Sequence, residues 1–100
     1  MANYEHVAIF RQGREAWNNW RETCGTEPDL SGEVLEDAIL DAFDLSNVDF
    51  NGSNLRRAHL SLSNLQGAIL EDANLQSADL SGVSLAGADS RKQIFVTRLS

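Results

Sequence analysis

The segment Ala73–Asp89 reads ANLQSADLSGVSLAGAD: a small residue, usually Asn or Asp next, then Leu, then two polar or small residues. Its beat is five. A helix repeats about every 3.6 residues and a strand every 2, so neither explains it. Stepping back by fives from Leu85 reaches Leu80, Leu75, Leu70, Leu65, Leu60, Leu55, Phe50, Leu45, Leu40, Leu35 and Leu30, all large and apolar. Two residues before the beat runs a second, mostly small series: Ala38, Phe43, Val48, Ser53, Ala58, Ser63, Ala68, Ala73, Ala78, Val83 and Ala88. Both series can face one narrow interior. The remaining positions hold mainly Asp, Asn, Ser, Gly, Gln and Arg, as an outer surface and its turns require. Helix-pair solenoids need units above roughly twenty residues and are excluded. The pattern predicts an all-β solenoid of short extended sides joined by turns.

Charge divides the chain into three. Residues 1–27 carry four acids and three bases, residues 28–89 eleven acids and two bases, and residues 90–100 three bases and no acid. The expected domains are accordingly a leader over 1–27, a repeat body over 28–89, and a partial coil or tail over 90–100. A net charge of −7 disfavours nucleic acid and anionic membranes as direct partners. The lone Cys24 cannot form an internal disulfide, which favours a reducing compartment. The start MANYEHVAIF lacks the basic and long apolar regions of a secretory signal, so the expected location is the cytoplasm.

Clean copies of A-[DN]-L-x-x occur as ANLQS at Ala73–Ser77 and ADLSG at Ala78–Gly82, with looser ones such as AHLSL, SNLQG and AILED. On these residues the chain resembles the pentapeptide-repeat proteins from about Pro28 to Asp89. The resemblance implies a right-handed quadrilateral parallel β-helix, with twenty residues per square coil and about three coils. The leader motif QG-x-x-A-W-N-x-W-R also resembles those of cyanobacterial members of this family. Coils stack at about the strand spacing, ~4.8 Å, so residues twenty apart become vertical neighbours. Glu36 and Asp37 then meet Arg56 and Arg57, and Glu71 and Asp72 meet Arg91 and Lys92, against one like pair, Asp29 over Asp49. A fifteen-residue coil also pairs Asp41 with Arg56, Arg56 with Glu71 and Arg57 with Asp72, against the like pair Asp29–Asp44, so the charges favour twenty by a small margin. At twenty, Phe43 stacks on Ser63 and then Val83. Glu33 in the small series and Ser90 on the leucine beat mark places where the solenoid is expected to fray.

A parallel solenoid exposes an apolar cross-section at each end. In the leader, Val7, Phe10, Gly13, Trp17, Trp20 and Cys24 follow one helical face, predicting an N-terminal capping helix built on Val7, Phe10, Trp17 and Trp20. Gly13 weakens its middle, and an extended HVAIF followed by a helix from Gly13 is the alternative. The tail RKQIFVTRLS puts Phe95 on the beat. It is expected either to fold over the C-terminal end or to join two molecules there as a homodimer, with the dimer favoured.

No catalytic, cofactor-binding or metal constellation stands out. His6 and His59 are scattered, one Cys cannot build a zinc site, and the acidic turns lack a calcium-loop pattern. His59 over Asp79 reads as a surface ladder contact. The expected function is therefore non-enzymatic: a scaffold that binds an unidentified protein through an acidic face of Asp29, Asp49, Glu71, Asp72 and Asp89. Ile39 and Leu62 form a further candidate contact for a partner or the leader. The resemblance also implies an alternative, a DNA mimic that inhibits gyrase, as quinolone-resistance members are thought to do. Three coils at ~4.8 Å put the body's net charge at ~1.6 Å per unit, near the 1.7 Å of duplex DNA.

Overall fold

The computed structural model describes residues 3–87. The five-residue beat arises at the corners. Each beat residue's carbonyl accepts a hydrogen bond from the N–H three residues on, as in Ala38 to Leu35 (3.1 Å), Ser53 to Phe50 (2.9 Å) and Ala78 to Leu75 (3.0 Å). The second residue after each beat residue is left-handed at every corner, with φ from 60° at Ala42 to 73° at Gly67. Positive φ at the third turn position but not the second defines a type II turn. Gly occupies that place at 32, 52, 67, 82 and 87, whereas Ala42, Arg57, Leu62 and Ser77 adopt it at a cost of about 1–2 kcal/mol each. The outward Asn or Asp completes the corner. Its Oδ1 accepts the backbone N–H two residues on, as from Asp49 to Asn51 (2.9 Å), Asn54 to Arg56 (3.0 Å) and Asn74 to Gln76 (3.0 Å).

Between corners each side is too short for a strand and contributes one bridging residue. All bridges are parallel and join residues twenty apart, never fifteen. They form four ladders: Asp29–Asp49–Ile69, Val34–Asn54–Asn74, Ile39–His59–Asp79 and Asp44–Asn64–Ser84. These ladders are called the first to fourth faces below. The result is a β-solenoid whose interior holds Leu30, Leu35, Leu40, Phe43, Leu45, Phe50, Leu55, Leu60, Leu65, Leu70, Leu75 and Leu80, all buried.

Four expectations need correction. Leu85 is 37% exposed rather than core. The solenoid does not fray at Glu33: its carbonyl accepts Asn54 N–H at 2.9 Å, and its carboxylate leaves the interior to lie 3.7 Å from Arg11. The leader is two helices, α1 over Tyr4–Phe10 and α2 over Arg14–Arg21, instead of one. Gly13 at φ 109° makes the break, where a residue with a Cβ is strained. The extended HVAIF alternative fails too, since Asn3 caps α1 by accepting from the N–H groups of Glu5 and His6. Asp89, Ser90, Arg91, Lys92, Phe95 and the C-terminal dimer expectation lie outside the described residues.

Candidate functional site

The outward side chains of the solenoid form the candidate surface. On the first face, Asp29 and Asp49 occupy one ladder. Ile69, 36% exposed, stands where a third aspartate would continue it. Glu71 and Asp72 sit at the adjoining corner of the third coil, beneath Ser31–Gly32 and Asn51–Gly52. Segments 28–33, 48–53 and 68–73 build this face and corner, and they contain five acids and no base. Burial opposes ionisation of Asp29. Hydrogen bonds from the Ser31 hydroxyl (2.7 Å) and N–H (3.0 Å) outweigh it and hold the carboxyl below its usual range.

The corner between the second and third faces has mixed charge. Arg57 donates from Nε to Asp37 at 2.9 Å and from a terminal nitrogen to Glu36 at 3.1 Å, and Arg56 lies 3.5 Å from Glu36. The hydrogen bond from Arg57 holds the Asp37 carboxyl low, and the same bond raises the guanidinium. These partners are exposed, so the contacts fix register more than they stabilise. His59 bridges Asp79 on the third face, with Ile39 above it and Leu62 at the next corner, both exposed.

At the N-terminal rim the helices reproduce part of a missing coil. Elsewhere a bridging residue's N–H and C=O both bond the coil before it, as Asn54 does with Glu33 and Leu35 (2.9 and 2.7 Å). Asp29 has no coil before it. Its N–H donates to His6 Nδ1 at 2.9 Å and its carbonyl accepts Asn3 N–H at 3.0 Å. Asp44 N–H donates to Asn18 Oδ1 at 2.8 Å, and its carbonyl accepts Trp17 Nε1–H at 2.7 Å and Arg21 at 3.0 Å. Arg14 and Asn18 donate to the carbonyls of Asp41 and Ala42. Trp17 is fully buried, edge-on to Phe10, while Trp20 is partly buried against Trp17 and His6. These tryptophans serve packing and rim satisfaction. Cys24 Sγ lies 3.3 Å from the Thr26 carbonyl. Among the described residues no cluster of His, Cys, Asp or Glu could hold a metal ion, and no helix is long and apolar enough to cross a membrane.

A family model described as pentapeptide repeats matches eight copies, over residues 26–57 and 53–89. The chain belongs to the pentapeptide repeat family. Among solved pentapeptide repeat proteins, it is similar to Rfr23 of the cyanobacterium Cyanothece 51142: 33% identical over 69% of this chain and 44% of that one, with a TM-score of 0.47. It is also similar to alr5209 of Nostoc PCC 7120: 24% identical over 74% and 78% of the two chains, TM-score 0.38. A third is a pentapeptide repeat protein of the Arabidopsis thaliana thylakoid lumen: 24% identical over 72% and 57%, TM-score 0.33. The chain thus spans less than half of Rfr23. No curated protein matches it. Within the family pattern, the sequence reading missed the left-handed corners and the Oδ1 bonds. The recurrence of Gly at 32, 52, 67, 82 and 87 in one register was the available signal.

Proposed function

We propose that the protein is a non-enzymatic interaction module that presents a rigid acidic face to another protein. The carrying observation is the acidic array of Asp29, Asp49, Glu71 and Asp72, held in place by ladders and corners that repeat every twenty residues. A surface so fixed loses little conformational freedom when it docks, and its field favours a basic partner. We read the winding as right-handed, the hand that parallel β crossovers adopt almost without exception, and the body as about three coils. The lone cysteine fits a cytoplasmic setting.

The test is affinity capture followed by direct titration of the purified partner. Replacing Asp49→Asn, Glu71→Gln and Asp72→Asn together keeps shape and corner bonding but removes three charges. Affinity should fall at least ~10-fold, while Arg56→Gln with Arg57→Gln should leave it or raise it. An unchanged titration with the triple variant would sink this reading. The gyrase-mimic alternative draws less support, because Ile69 interrupts the aspartate ladder and Arg56 and Arg57 neutralise the next corner but one. A supercoiling assay at micromolar protein separates the two, since only a mimic should inhibit.

A further inference from the structure

Asn51 is the one asparagine in the sequence that glycine follows. It also differs from the other asparagines of the coils in what its side chain does. At 54, 64 and 74 the Oδ1 accepts a backbone N–H, and the next residue is Leu. Asn51 stands one place past the Phe50 beat, at the second position of the turn 50–53. It is exposed, and its carboxamide has no hydrogen-bond partner among the described residues.

A free carboxamide before glycine is an arrangement in which a chain can modify itself. The following backbone nitrogen attacks Cγ, a new C–N bond closes a five-membered imide, and the side-chain nitrogen leaves as ammonia. Water then opens the ring at either carbonyl. Opening at the α-carbonyl leaves isoaspartate, in which the chain runs on through the former side chain. Glycine, without a Cβ, puts nothing in the way of the ring.

The folded corner holds this nucleophile away from its target. A type II turn gives its second residue a ψ of about +120°, which turns the Gly52 nitrogen away from Asn51 Cγ. The peptide between them is also pinned from both sides. The Asn51 carbonyl accepts Gly32 N–H at 2.9 Å from the first coil, and Gly52 N–H donates to the Glu71 carbonyl at 3.0 Å in the third. Ring closure must rotate this peptide and break both bonds. We propose that Asn51 is a self-modification site that the solenoid keeps shut: deamidation proceeds when this corner opens, and isoaspartate prevents the corner from closing again. The product inserts a methylene into the backbone path before Gly52 and turns the α-carbonyl that served Gly32 into a free carboxylate. Stacking at twenty-residue spacing cannot absorb that extra length. A brief opening thus becomes a permanent change, with a new negative charge beside Glu71 and Asp72. The inference stands whether or not the first face binds a partner.

Mass spectrometry of the full chain held in mildly alkaline buffer tests it. In urea, Asn51 should convert to a mixture of aspartate and isoaspartate, located by peptide mapping. In the folded chain the conversion should be at least ~10-fold slower and should follow the exchange rate of the Gly52 amide, since both need the corner to open. Asn51→Gln keeps an exposed carboxamide but requires a larger ring, so it should stay unmodified in both conditions. Isoaspartate chains returned to native buffer should lose at least ~10-fold of the exchange protection at Gly32 and Gly52. Ala42 and Leu62, at the opposite corner, should keep theirs. Asn51→Asp adds the charge without the extra backbone atom and should keep protection at both corners. Equal rates in the folded and unfolded chain overturn the proposal, as does product at another asparagine. Aspartate alone would overturn it too, because that outcome means attack by water instead of Gly52. Full protection of Gly32 and Gly52 in the isoaspartate chain would show that the corner closes again, and would also overturn it.

Discussion

The cap and the coils solve the same problem by opposite means. Every bridging residue from Asp49 to Ser84 has its backbone satisfied by the coil before it, through one geometry repeated at twenty-residue spacing. The cap satisfies Asp29 and Asp44 with unrelated groups: an imidazole, an amide, an indole, a guanidinium and one backbone N–H. Repetition spreads the work over equivalent leucines, whereas the cap concentrates it on a few side chains that nothing else can replace. Damage to the cap should therefore be costlier per atom, and damage to a coil more local, because each unit of a solenoid meets only its neighbours.

The sharpest way to break this contrast is Trp17→Ala. It empties a fully buried site and leaves the Asp44 carbonyl with Arg21 alone, so we expect a loss of about 3–5 kcal/mol in urea unfolding. Leu60→Ala, in the middle of the body, should cost about 2–4 kcal/mol. If it costs more than Trp17→Ala, the cap is not the more concentrated element. Gly67→Ala comes next. Its φ is +73° and the new Cβ would push aside the exposed end of the Asn47 side chain, so a loss of about 1–2 kcal/mol is expected. Adding Asn47→Gly removes the colliding atoms and should restore part of that stability. A smaller contrast pits two buried serines of the body against each other. Ser53 Oγ donates to the Leu30 carbonyl at 2.8 Å, whereas Ser63 Oγ has no partner among the described residues. Ser53→Ala should destabilise by about 1 kcal/mol and Ser63→Ala should stabilise by a similar amount, both read from thermal melts.

The smallest expected effect is a pH slope. Asp29 has its carboxyl lowered in the fold, so its contribution is complete above the unfolded value of about 4 and is lost as pH falls through the folded value. Asp29→Asn keeps an Oδ1 acceptor but cannot titrate. It should flatten the fall in stability below about pH 4, and an unchanged acid limb would assign that slope to other carboxylates.

How much was legible beforehand divides along the same line. The beat from Leu30 to Leu85 was visible because each turn recurs, and errors in single residues average out over a dozen copies. Glu33 shows the limit of that logic. A long side chain in a small position looked like a break, yet it tolerates the site by turning out towards Arg11. The cap was legible only in outline. Val7, Phe10, Trp17 and Trp20 share a helical face across Gly13, and that continuity concealed a break whose two halves fold back on one another. Which backbone atom each polar group serves depends on where α2 comes to rest, and no local pattern encodes that. The acidic face was legible as composition, but Ile69 and the corner placement of Glu71 and Asp72 emerge only once the coil period is known.

The Oδ1 bond at the corners has one more consequence. Asn and Asp both make it, and the described corners use both: Asp at 29, 44, 49 and 79, Asn at 54, 64 and 74. Exchanging one for the other changes a single terminal group and leaves the backbone bond intact. The electrical pattern on each wall is thus a nearly independent variable, which mutation can rewrite position by position while the underlying coil stays as it was.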